Sequence, residues 1–266
     1  MDPIEQFAND RAEVRASYAR DAEFRALSQD WLRESMRRRY VYNFDWLGRP
    51  IIQYPQDMAA LQEIIWSTRP DVIIETGIAH GGSLVLSASI LALLDYADAK
   101  DAGTTLDPSR PGRRVIGIDI DIRSHNRAAL EAHPMAPRIE LIEGSSLDPA
   151  VIDRVGAHAE KSERVMVCLD SMHTHDHVLG ELNAYAGLVT PGCYCVVLDS
   201  FIEDMPENFF ADRPWDVGNN PKTAVHSWLS DHPEFEIDKT VEQKLMISSA
   251  PDGFLRRKPL SGASPA

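Results

Sequence analysis

The stretch D-V-I-I-E-T-G-I-A-H-G-G-S-L-V-L-S-A-S-I-L-A-L-L, residues 71–94, runs from a short β-rich segment into a long apolar helix through a turn carrying glycines at 77, 81 and 82. Its strand is apolar at consecutive positions rather than alternating, which suits a parallel sheet covered on both faces. The pattern then repeats. R-V-I-G-I-D-I-D (114–121) and I-E-L-I-E-G-S-S (139–146) read as a second and third strand, and V-M-V-C-L-D (165–170) and C-Y-C-V-V-L-D-S (193–200) as a fourth and fifth. Helices are predicted between them near 123–132, 150–159 and 174–186. Strands alternating with helices imply an α/β domain whose ligands sit at the carboxyl ends of the strands.

Outward from this repeat, residues 4–39 are charged and alanine-rich with apolar side chains at helical spacing, and read as helices outside the core. Residues 42–57 carry aromatics, Gly48, Pro50 and Pro55 and read as an ordered loop before a helix over 57–68. After the fifth strand, 201–220 is loop-like, a helix is predicted over 223–229, and F-E-I-D and K-L-M-I-S-S are expected to close a seven-stranded sheet. The expected organisation is an N-terminal helical extension (1–50), a main domain (51–252) and a C-terminal tail (253–266), disordered beyond Leu260.

Composition narrows the function. A chain of 266 residues fits one large domain. A formal net charge of −14 argues against binding nucleic acid, which requires a basic face. The three cysteines, Cys168, Cys193 and Cys195, lie within apolar strands and match neither a zinc pattern nor a disulfide framework. The start of the chain lacks the apolar core of a signal peptide, and no uninterrupted apolar run approaches a membrane span, so a cytoplasmic location is expected.

The strand ends carry the chemistry. Glycines 77, 81 and 82 allow close backbone approach to a ligand, and the following helix N-terminus favours an anionic group, although such a turn also serves plain strand-to-helix packing. Glu75, Gly77, Gly81 and Ser83 are the candidate cofactor-binding residues here. At the second strand end Asp119, in preference to Asp121, is placed to accept hydrogen bonds from ribose hydroxyls. At the third, Ser145 and Ser146 either flank an adenine or cap the next helix. The spacing is not G-x-G-x-x-G, and the set fits S-adenosylmethionine better than a nicotinamide. Beyond the fourth strand, Asp170 and His173 sit where a metal or proton-transfer site would form.

The segments V-I-I-E-T-G-I-A-H-G-G-S-L, G-I-D-I-D, L-D-S-M-H-T-H-D-H-V-L-G-E-L and P-W-D-V-G-N-N-P-K-T-A-V resemble the cephalosporin hydroxylase and rhamnosyl O-methyltransferase family. The resemblance covers roughly residues 40–250. It implies a class I methyltransferase (Rossmann-like) fold, with a mostly parallel sheet and helices on both faces, and an O-methyltransferase using S-adenosylmethionine and a divalent cation, Mg2+. It places the cation on Asp170 and Asp199 and makes His173 the base that deprotonates a sugar hydroxyl. The chain departs from the family at Leu198, where many relatives carry Glu, and Ser200, Glu203 or Asp204 is left to supply a third ligand. His175, Asp176 and His177 are expected to turn away on the helix that follows. Trp215, Asn219, Asn220 and Lys222 are candidates to bind a sugar-containing small molecule, with lid packing and helix capping as the alternative. Gln53 or Tyr54 is a further candidate to reach the cofactor, and the N-terminal arm, with Trp31, Tyr40 and Tyr42, is expected to serve a homo-oligomer. Competing readings are a hydroxylase or oxidoreductase on the same sheet, or an inactive S-adenosylmethionine-binding accessory subunit.

Overall fold

The computed structural model describes residues 2–259, so the expected disorder beyond Leu260 lies outside the described residues. Two helices open the chain, α1 (Pro3–Arg20) and α2 (Ala22–Arg37), begun by Asp2 and Asp21, whose carboxylates accept from the amides of Ile4 and Phe24. No residue of α1 is buried, whereas α2 buries Ser28, Leu32 and Ser35. The next segment is not the loop expected. After a 3-10 turn (Tyr40–Asn43), β1 (Phe44–Trp46) and β2 (Arg49–Ile51) pair as an antiparallel hairpin. Its two linking residues, Leu47 (φ +47°) and Gly48 (φ +83°), are both left-handed, as a two-residue hairpin turn demands.

The repeating unit then runs α3 (Pro55–Thr68), β3 (Val72–Thr76), α4 (Gly82–Ala102), β4 (Arg114–Asp119), α5 (Ser124–Glu131), β5 (Ile139–Glu143), α6 (Pro149–Ala159), β6 (Val165–Leu169), α7 (His175–Tyr185) and β7 (Tyr194–Val197). It ends in α8 (Pro221–Leu229), β8 (Phe235–Ile237), α9 (Lys239–Leu245) and β9 (Phe254–Arg257). The seven strands lie in the order β5-β4-β3-β6-β7-β9-β8, parallel from β5 to β7, with β9 antiparallel to both its neighbours.

The end of the sheet corrects the sequence reading. K-L-M-I-S-S is not a strand. Asp238 caps α9 by accepting from the Thr240 amide at 3.0 Å, and Val241 and Leu245, one helical turn apart, face the core. The closing strand is β9, inside the segment expected as a tail, with Phe254 and Leu255 buried; the main domain therefore continues past residue 252.

Successive residues of β3 supply opposite faces: Ile73 joins a core with α3 and α4, while Val72 and Ile74 join one with α6, α7 and α8. Burying such side chains contributes roughly 1.5–3 kcal/mol each and explains the consecutive apolar pattern. By length and composition alone α4 is apolar enough to cross a membrane, but Leu84, Val85, Leu86, Leu91 and Leu94 are packed in the first core. A third cluster joins Leu32 and Met36 of α2, Val41, Tyr54, Phe201, Ile202, Met205 and Trp215, tying the N-terminal arm to the loop after β7.

Candidate active site

The first, second, fourth and fifth strand ends converge on one cavity of about 280 Å³. Its lining includes Gly77, Ile78, Gly82 and Ser83 from the β3–α4 turn, Asp119 from β4, Asp170, Ser171 and His173 beyond β6, and Asp199 beyond β7. Gly77 (φ +83°) makes this convergence possible, since a β-carbon there would stand 2.0 Å from the Asp170 carbonyl oxygen. Asp119 fastens the turn: its Oδ2 accepts from the Ile78 amide at 2.9 Å and its Oδ1 from the Asp121 amide at 3.1 Å. Arg49, in the hairpin, donates to the His80 carbonyl and to Asn126 Oδ1, and Asn126 donates to the Ala79 carbonyl. Neither Arg49 nor Asn126 was marked by any sequence motif, because both act on backbone carbonyls remote in the chain.

Asp170, His173 and Asp199 bring ligand atoms within 4.8 Å of one another. His173 Nε2 lies 3.0 Å from Asp199 Oδ2, and the Trp215 ring meets the His173 ring edge to face at 4.7 Å between centroids. Asp199 adopts a left-handed backbone (φ +55°), an uncommon conformation for a non-glycine residue, directly after β7. Burial, and next the Asp199 charge, push the Asp170 carboxyl well above the usual carboxylate range. Glu75, whose Oε1 accepts from Ser83 Oγ, is raised by burial to about 7, and Asp57 by burial to about 6 despite donors from Ser248 and Ser249. The charges of Asp199, Glu75, Glu181 and Asp57 thus all bear on Asp170, with no Lys or Arg among the cavity-lining residues. A cation would relieve that repulsion, and the two oxygens with one imidazole suit a divalent ion.

The family model for Rhamnosyl O-methyltransferase/CmcI matches residues 38–258. The chain belongs to this family. It is an S-adenosylmethionine-dependent O-methyltransferase of the rhamnosyl/CmcI type. The rhamnosyl O-methyltransferase of Mycobacterium bovis is 28% identical over 252 residues, covering 91% of this chain and 91% of that protein. That of Mycobacterium leprae is 27% identical over 236 residues, covering 86% of this chain and 92% of that protein. A ligand-free structure of CmcI superposes with a TM-score of 0.49 at 19% identity, covering 82% of this chain and 78% of that one.

Leu198, where the resemblance leads to the expectation of Glu, is buried in the first core and is not among the residues lining the cavity. The three alternatives for a third ligand are occupied elsewhere. Ser200 Oγ donates to the Pro251 carbonyl at 2.6 Å, Glu203 accepts from the Gly218 amide at 2.7 Å and from Asn220, and Asp204 pairs with Lys222. His173 therefore stands as the third member of the cluster.

Of the four residues expected to meet the acceptor, Trp215 approaches His173, and the other three hold the lid together. Asn220 is fully buried as the cap of α8, accepting from the Lys222 and Thr223 amides and donating to Glu203 and the Asp216 carbonyl. Asn219 bridges the His175 amide and the Pro214 carbonyl, and Lys222 Nζ lies 2.8 Å from both Asp204 oxygens. These three follow the packing and capping alternative. Gly81 (φ +81°) precedes α4 as its cap. Ser145 and Ser146 do not line the cavity; Ser145 Oγ accepts from the Leu147 amide, and Ser146 Oγ lies 3.2 Å from His177 Nε2. His177 in turn lies 3.0 Å from Ser171 Oγ, which donates to the buried Glu181 at 2.6 Å, so His177 and Glu181 brace the turn that follows Asp170 from behind. His175 joins Thr223 of α8, away from the cluster.

Proposed function

We propose that this chain transfers a methyl group from S-adenosylmethionine to a hydroxyl of a sugar, in a nucleotide sugar, a glycan or a glycosylated natural product, with Mg2+ held by Asp170 and Asp199. The observation that carries the reading is the Asp170–His173–Asp199 cluster on the wall of the cavity that also holds the Gly77 turn and Asp119. The turn and the α4 N-terminus receive the anionic end of the donor, and Asp119 accepts from its ribose. When bound, a divalent cation supplies charge that lowers the pKa of the acceptor hydroxyl and fixes its orientation.

The chain's own residues do the rest. Asp170 is fixed by its backbone, whose amide donates to the Thr76 carbonyl at 2.9 Å. His173 takes the acceptor's proton on Nε2, and Asp199, 3.0 Å away, stabilises the imidazolium so formed. Trp215 closes over the His173 ring and shields it from water. The acceptor oxygen displaces the sulfonium sulfur in line, forming the C–O bond as the C–S bond breaks, and the donor leaves as S-adenosylhomocysteine. Self-association through the N-terminal arm belongs to the same reading, supported by Phe7, Val14, Leu27 and Trp31, which stand exposed on α1 and α2.

The test is calorimetry with S-adenosylhomocysteine and Mg2+ on chelator-treated protein, joined to methyl-transfer assays on rhamnosylated acceptors. Asp119→Ala is expected to lose the nucleoside and keep Mg2+, and Asp170→Ala the reverse. Absence of nucleoside binding in the unaltered protein would remove the reading.

A further inference from the structure

Gln53 lines the cavity, is 3% exposed, and its Oε1 is buried without a hydrogen-bond partner among the described residues. A buried carbonyl oxygen left unpaired costs roughly 1–3 kcal/mol, so its place beside a ligand cavity points to a partner outside the chain. The neighbouring Tyr54 is already partnered: its hydroxyl donates to Ser35 Oγ at 2.7 Å, and Ser35 in turn donates to the Leu32 carbonyl. Of the two residues expected from the sequence to reach the cofactor, the unspent one is Gln53.

Its position selects the end of the ligand. The chain just before Gln53 lies against the start of α4, so close that a β-carbon on Gly82 would stand 2.3 Å from the Pro50 carbonyl oxygen. Gly82 and Ser83 line the same cavity, and the first amides of a helix have no partners within it. Asp119, at the end of β4, takes the nucleoside side of the cavity.

We propose that Gln53 holds the amino-acid end of the methyl donor, Oε1 accepting from the α-ammonium and Nε2 donating to the α-carboxylate, which also faces the α4 N-terminus. A carboxamide offers both an acceptor and donors, and a zwitterionic α-amino acid is their complement. The assignment rests on S-adenosylmethionine being the donor, as proposed above.

The test is calorimetric titration of the full chain with S-adenosylhomocysteine and with 5′-methylthioadenosine, which keeps the adenosine and thioether but lacks the amino-acid end. Gln53→Leu is expected to weaken S-adenosylhomocysteine about tenfold or more, the loss of charge-assisted hydrogen bonds, while leaving 5′-methylthioadenosine within about twofold. Gln53→Glu, nearly isosteric, places a negative charge beside the carboxylate and is expected to weaken only the same ligand. Unchanged S-adenosylhomocysteine affinity in Gln53→Leu overturns the assignment, and so does a parallel loss of both ligands in both variants. If the unaltered protein binds neither ligand, the donor reading itself falls and takes the assignment with it.

Discussion

His173 Nε2 and Asp199 Oδ2 are 3.0 Å apart, so the proposed base and a proposed cation ligand stand at ion-pair distance from each other. Base and ligand roles for His173 separate by experiment. As the base, His173→Ala lowers kcat by roughly 10²–10⁴-fold with Mg2+ and S-adenosylhomocysteine affinities held within a few-fold. Calorimetry on the variant checks this; an Mg2+ affinity that collapses along with turnover would make His173 a ligand instead.

Gly77→Ala tests the approach of the first and fourth strand ends. The added carbon meets the Asp170 backbone and the residue must hold φ near +83°, so the turn has to move away from the aspartate. Stability is expected to fall by about 2 kcal/mol or more, with loss of S-adenosylhomocysteine binding, read by denaturant unfolding and titration.

Glu75 makes stability depend on pH. Burial raises its carboxyl from 4.5 to about 7, so the folded state holds the proton more tightly than the unfolded chain. The resulting stabilisation is fully present below pH 4.5 and is lost as pH rises through about 7. Glu75→Gln keeps an uncharged side chain at every pH. Unfolding free energies measured from pH 5 to pH 8 are expected to fall less in the variant, by up to about 3 kcal/mol.

Asn220 and Lys222 are expected to act on stability and not on acceptor affinity. Asn220→Ala removes the α8 cap and the anchor to Glu203, for a loss of about 1–2 kcal/mol. Lys222→Met frees Asp204 and is expected to cost less than about 1 kcal/mol, with the acceptor KM within twofold. A KM raised tenfold in Lys222→Met, with unchanged melting, would return Lys222 to the acceptor site.

The parts of this protein legible in its sequence are those set by local pattern. Strands β3, β4, β6 and β7 announce themselves because a strand buried on both faces is apolar at nearly every position, and Asp119, Asp170 and Asp199 because each ends or follows such a run. The polar residues of the lid were misleading for a nonlocal reason. Asn220 and Lys222 have the chemistry to bind hydroxyls or phosphates, but Glu203 and Asp204, at the start of the lid, take them first. The closing strand was misplaced because Val241 and Leu245 in K-T-V-E-Q-K-L belong to a helical face of one turn, too short for its period to stand out, while the four-residue β9 sits among arginines. Asp57 reads as an ordinary residue of a helix's first turn and is instead a buried carboxyl tied to Ser248 and Ser249, 191 and 192 residues away.

The third cluster, in which Met36 and Val41 of the N-terminal arm meet Phe201 and Trp215, has an evolutionary corollary. The family match begins at residue 38, yet Met36, just ahead of it, lines the cavity with Val41 and Tyr42. Drift in the arm can therefore reshape one wall of the cavity while the strand ends that carry the chemistry stay fixed.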